Sequence, residues 1–203
     1  MRDDQIQNLE KLWAELNKST PEEIAKRTQY ELVDGTKLKM PFLIYNYIAD
    51  LKNHTIVDEK TGKELEKYLL YLAFLWYLVN AKDIPVREKW VTTKNLKQGA
   101  VFFVGNHALP EKPMLERFGT NVDEFEEVGK AFGGEEFDKG DVAFKFYLFP
   151  RVPIIIAMWE EDEEFDAQVK YLFDETIEEH LTKDIIHGLF EYVVHQLVNY
   201  KKD

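Results

Sequence analysis

The chain has 203 residues, no Cys, 10 Gly, 7 Pro and a formal net charge of -12. An apolar share of 45% supplies a core and excludes a disordered chain. The missing Cys excludes disulfides, iron–sulfur ligation, thiolate zinc sites and a Cys nucleophile, and the negative charge argues against duplex nucleic acid and anionic membranes.

Ile6, Leu9, Trp13 and Leu16 recur at helical steps and predict one amphipathic face. Ser19-Thr20-Pro21-Glu22-Glu23 opens a second helix: hydroxyl caps, Pro in the first turn, acids at the positive end. From Tyr30 the period shortens to two. Asp34-Gly35 supplies the positive φ of a tight hairpin turn, and Phe42 to Ile48 and His54 to Val57 read as further strands, so residues 30–58 form an antiparallel meander.

Lys63 to Ala81 is predicted as a helix that is apolar all round, and therefore as the buried centre of the fold. With twelve apolar residues from Tyr68 to Val79, it is too short for a membrane span, which needs roughly 20, and a cytoplasmic protein is expected. Trp90-Val91 is extended. Residues 101–107 stay open between strand, helix and loop. Pro113 to Phe118 and Val122 to Phe132 are helices, the second stopped by Gly133-Gly134.

Val142 to Phe149 alternates. Ile154 to Trp159 is continuously apolar, as in a strand covered on both faces, and Pro150-Arg151-Val152-Pro153 connects the two. Glu160 to Glu164 turns, Val169 to Phe173 makes a third strand, and Thr182 caps a last helix over 183–200 with a double apolar stripe. The fold class is α+β: a single domain over 1–203, with an antiparallel meander, a buried central helix and a second antiparallel sheet packed by the C-terminal helix. A single mixed sheet is the alternative. Charge divides it into sub-regions, a net of +1 over 1–122 and -13 over 123–203.

Few chemistries remain. The single Ser, Ser19, sits at a helix cap, and there is no phosphate-binding glycine loop and no H-E-x-x-H. Among five His, His107 in a loop after an apolar run and His180 before the Thr182 cap are the better site candidates. Ten acidic residues and one base, Lys170, lie between Trp159 and His180, without the spacing of a calcium loop. Within them Glu164, Asp174 and His180 are the acid–base candidates, Glu164 beside Phe165 and Asp174 at a strand end. Tyr68, Tyr71, Phe74, Trp76 and Tyr77, with Phe102 and Phe103, make either ordinary core or the wall of a cavity for a flat apolar ligand. No metal site is expected.

The C-terminal third resembles domain-of-unknown-function family 3786, through Pro150-Arg151-Val152-Pro153, Trp159 with Asp162-Glu163-Glu164-Phe165, Leu172-Phe173-Asp174, and His180-Leu181 with Asp184. Trp13, Pro21 to Ala25, Trp90, Pro113 to Gly119 and Gly134 through Asp141 extend the likeness along the chain. The resemblance implies a protein of anaerobic archaea and bacteria. Some relatives look to be joined to a Cys-rich iron–sulfur domain associated with corrinoid proteins, a module this Cys-free chain lacks.

Three readings follow. The first is an accessory protein for a tetrapyrrole or corrinoid, with His107, Trp76, Phe103, Trp159 and Arg151 as binding candidates. The second is a carboxylate/His enzyme. The third is an interaction module whose acidic face meets a basic protein surface. A homodimer is a separate expectation.

Overall fold

The computed structural model describes residues 2–201. Helices α1 (Asp3–Leu16) and α2 (Pro21–Thr28) lead into the first sheet. Thr20 and Glu23 form a reciprocal capping box on α2, as the Thr-Pro-Glu-Glu signature requires. Strands β1 (Glu31–Val33), β2 (Lys37–Phe42), β3 (Tyr45–Asp50) and β4 (Thr55–Asp58) are antiparallel in chain order. Asp34 and Gly35 both take positive φ (52° and 69°), and the Thr36 N–H bonds the Val33 carbonyl at 3.3 Å. This is the primed turn that matches the twist of the flanking strands.

The expected strand Phe42 to Ile48 is two strands. Leu43 sits at φ 51°, and Phe42 pairs with Tyr45 across the turn. The expected helix from Lys63 begins only at Tyr68, as α3 (Tyr68–Asn80), because residues before it extend the sheet. Glu64 bridges Val57, and the Leu65 N–H bonds the Ile56 carbonyl at 2.9 Å. Nor is α3 buried on all sides. Phe74, Leu75, Tyr77 and Leu78 are sealed, but Leu69 is 52% exposed and Leu72 and Trp76 are half-buried.

The second sheet has the order β5 (Trp90–Val91), β9 (Gln168–Asp174), β8 (Val152–Trp159), β7 (Val142–Phe149) and β6 (Glu135–Glu136), all antiparallel. It is separate from the first, so the mixed-sheet alternative falls. Only Pro150-Arg151 form the turn between β7 and β8. Val152 and Pro153, expected in the connection, already lie in the strand. Pro153 stands at the register irregularity near Tyr147, where a missing N–H is tolerated. Ile154, Ile156 and Met158 enter the main core, while Ile155 and Ala157 join Ala143 and Leu172 in a small cluster on the reverse face under Trp90, Phe137 and Trp159.

Between β5 and β6 in the chain come the short α4 (Gly99–Phe102), α5 (Glu111–Phe118) and α6 (Val122–Ala131). The open stretch 101–107 resolves into the end of α4, a bend and a single helical turn at Gly105–His107. The one-turn α7 (Ile177–His180) follows β9, and α8 (Lys183–Asn199) ends the fold. The Thr182 side chain makes no cap bond. Both stripes of α8 are nonetheless buried, including Ile186, Phe190, Val194 and Leu197. One core joins everything: Phe149 at the β7 turn lies 6.1 Å from Phe42 of the first sheet and 5.5 Å from Phe74 of α3, ring to ring. No helix among the described residues is long and apolar enough to cross a membrane.

Candidate functional site

The 22 residues from Lys89 to Pro110 contain no acid, in a chain where 38 residues are acidic, and they carry Lys89, Lys94, Lys97 and His107. This run forms β5, a helical turn at Thr93–Asn95, α4 and the His107 turn. It borders two cavities.

The larger, about 990 Å³, lies between the Thr93–Asn95 turn and α5, with β9 as its floor. Phe103, Leu109, Leu115 and Tyr171 supply apolar wall, and Lys94 and Lys112 supply positive charge, the Lys170 ammonium lying instead over the Trp159 ring. Glu111 and Glu116 also reach it, Glu116 at 3.5 Å from Lys112. Lys94 and Lys170 are exposed, and neither is ion-paired among the described residues. The Tyr171 hydroxyl donates to the Pro110 carbonyl at 2.8 Å, fixing the wall, and burial raises its pKa. Strand β5 pairs only with Phe173 and Asp174, so no strand among the described residues lies beside the outer edge of β9 from Gln168 to Leu172. The cleft is thus concave and apolar inside, with Lys94 as a cation at its rim that no carboxylate among the described residues pairs.

The smaller cavity, about 560 Å³, is lined by Gln98, Val101, Phe102, Val104, His107 and Lys183. The His107 ring stacks on Phe102 at 4.8 Å and 17° and meets His187 edge-on at 5.6 Å. Val101 and Val104 are 78% and 56% exposed. His107 therefore faces away from the large cleft, whereas Phe103 lines it.

Arg151, Asp174 and His180 meet elsewhere, in a buried polar cluster at the C-terminal end of α3. Arg151 donates to the Arg27 carbonyl at 2.8 Å, to the Ile84 carbonyl and to Asp83. Asp174 accepts from the Thr176 hydroxyl at 2.6 Å and the Arg87 N–H at 3.0 Å. His180 accepts the Lys82 N–H at Nδ1, 3.3 Å away, and its Nε2 is buried without a hydrogen bond. Burial, then the Arg151 charge, pull His180 down to about 4. A neutral ring held this way, beside an arginine satisfied by carbonyls, ties the connection after α3 to the end of β9.

Glu164 lies apart from these two. It is exposed on the loop before β9, and that strand's own length of about 20 Å separates the loop from Asp174. The three acid–base candidates are not gathered in one cleft. Trp159 lies on the reverse face of the second sheet, 4.9 Å beneath the Lys170 ammonium, and Trp76 is half-buried on α3. Of the binding candidates only Phe103 lines the large cleft. Tyr171 and Lys94, which sequence reasoning passed over, complete it, and the acid-free run is the signal that could have found Lys94. No group of three His, Asp or Glu among the described residues is arranged to hold a metal ion.

No curated protein and no solved structure matches the chain. A family model described as a domain of unknown function matches residues 20–196, nearly the whole length. The chain therefore belongs to the family of that description, DUF3786.

Proposed function

We propose that the protein binds an amphipathic organic anion in the cleft over β9, with the tetrapyrroles as its class. The carrying observation is the pairing of apolar walls from Phe103, Leu109 and Tyr171 with Lys94 and Lys112 at the rim, in a volume near 990 Å³. A flat ring bearing carboxylates satisfies both: its face meets the aromatics and its acid groups meet the ammonium groups. Because His107 lines the other cavity and His180 is buried, the ring is held by packing and ion pairing, with no histidine above its centre.

Titration with protoporphyrin IX, read by tryptophan quenching, tests this. Saturable binding is expected, abolished by Phe103→Asp, weakened by Lys94→Glu and unchanged by Trp76→Phe. Absence of saturable binding, or equal binding by Phe103→Asp, overturns the reading.

A further inference from the structure

Gln168, Val169, Lys170 and Tyr171 all line the large cleft, although successive side chains of a strand point to opposite faces. A cavity that touches four consecutive strand residues runs along the main chain rather than over one face. The opening is therefore a slot beside the edge of β9, over about 13 Å of strand.

The bonds on either side tell where the main-chain groups of that edge point. The Glu175 N–H bonds the Lys89 carbonyl at 2.9 Å, which turns the odd-numbered residues of β9 toward β5. Across the sheet the Met158 carbonyl accepts the Asp141 N–H at 2.9 Å. Met158 thus faces β7, and its neighbour Ala157 faces β9, where it pairs with Lys170. The two phases agree: Gln168, Lys170 and Leu172 turn to β8, while Val169, Tyr171 and Phe173 turn outward. Phe173 meets Val91. Beyond that pair the chain leaves the sheet at the Thr93–Asn95 turn. The N–H and C=O groups of Val169 and Tyr171 then look into the cleft, with no strand beside them among the described residues. Such a row is a template for an added strand.

We propose that the protein binds an extended peptide of a partner protein, which joins the second sheet antiparallel to β9 in the line that β5 leaves. The phase sets the chemistry of that peptide. Two of its residues, opposite Tyr171 and Val169, exchange main-chain bonds with them. Their side chains fall on the core face of the sheet, toward the apolar walls of Phe103 and Leu115, so both are apolar. The residue between them falls on the reverse face opposite Lys170, whose exposed ammonium lies 4.9 Å over the Trp159 ring. A carboxylate suits that position and a base opposes it. The occupant is not β9 of a second copy. Pairing Val169 with Tyr171 of the copy would set Lys170 directly against Lys170, the like-charge guard that sheet edges commonly carry.

Strand addition does not rest on the tetrapyrrole reading and is tested without a porphyrin. The probe is a fluorescein-labelled peptide amide of sequence Thr-Val-Asp-Val-Thr, followed by fluorescence polarisation. Saturable binding tighter than about 1 mM is expected. Methylating both valine nitrogens removes the donors that face β9 and should weaken binding about tenfold or more. Methylating the aspartate nitrogen, which faces away, should leave it unchanged. Replacing the aspartate by lysine should weaken it about threefold or more. In the protein, Val169→Pro deletes one outward N–H, sets a ring on the edge and should abolish binding. Amide exchange read by NMR needs no variant: peptide should slow Val169 and Tyr171 and leave Lys170, already turned to β8, unchanged. A peptide that does not saturate overturns the proposal. So does equal binding by the doubly methylated peptide, or protection that spares Val169 and Tyr171. Self-association lost in Val169→Pro, without peptide binding, would give the edge to a second copy and overturns it as well. Peptide binding without protoporphyrin binding removes only the small-molecule reading, and the converse removes only this one.

Discussion

The Tyr77 ring stacks on Phe149 with 4.6 Å between centroids and 24° between planes, while its hydroxyl accepts the Arg151 N–H at 3.2 Å and donates to the Thr28 carbonyl at 3.0 Å. One side chain thus joins α3, α2 and the turn of the second sheet, through both its face and its tip. Tyr77→Phe keeps the stack and strands two buried backbone groups. A loss of about 1–3 kcal/mol in urea unfolding is expected. A neutral result would mean that the tip contributes nothing.

His180 makes stability depend on pH. Its folded pKa, about 4, lies below the ordinary value near 6.5, so the unfolded chain binds the proton first. The neutral ring's contribution is full above pH 6.5 and is lost as pH falls toward 4, by up to about 3 kcal/mol. Unfolding free energies of wild type and His180→Gln should converge over that interval. Parallel curves would remove His180 as the titrating group.

Gly129 sits in α6 where an added Cβ would lie 2.3 Å from the Phe144 ring. Helix propensity alone favours Ala over Gly by about 1 kcal/mol. Here the ring cannot retreat, since Phe144 is fully buried against Phe125. Gly129→Ala should therefore destabilise by about 1–3 kcal/mol, visible as a lower thermal midpoint, and a raised midpoint would contradict the close packing of α6 on β7.

Val101 is 78% exposed. Val101→Ser should change stability by less than about 0.5 kcal/mol. A larger loss by chemical denaturation would place this side chain inside a contact.

The parts of the fold that were legible are those where local chemistry and tertiary packing agree. Asp34-Gly35 takes positive φ at little cost between two alternating segments, and the double stripe of α8 has one way to be buried. Leu43 misleads because an apolar residue continues the alternation while its backbone turns. Lys63 to Lys67 mislead because helix-forming residues there pair with β4 instead. The candidate site was less legible for a different reason. Its walls come from Phe103, Leu109, Leu115 and Tyr171, on elements that meet only in three dimensions. Chain order placed Glu164, Asp174 and His180 near one another, but a strand running between the first two carries them apart.

The bridge at Phe149 bears on how the chain can be divided. Charge separates it near residue 122, yet the ring of Phe149, from the acidic part, rests on Phe42 and Phe74 from the neutral part. Neither portion owns a closed interior. Expressed alone, each would present the other's half of the core to water. Expressed together they should find one another, making this a chain suited to fragment complementation, with the electrical boundary lying where no structural boundary exists.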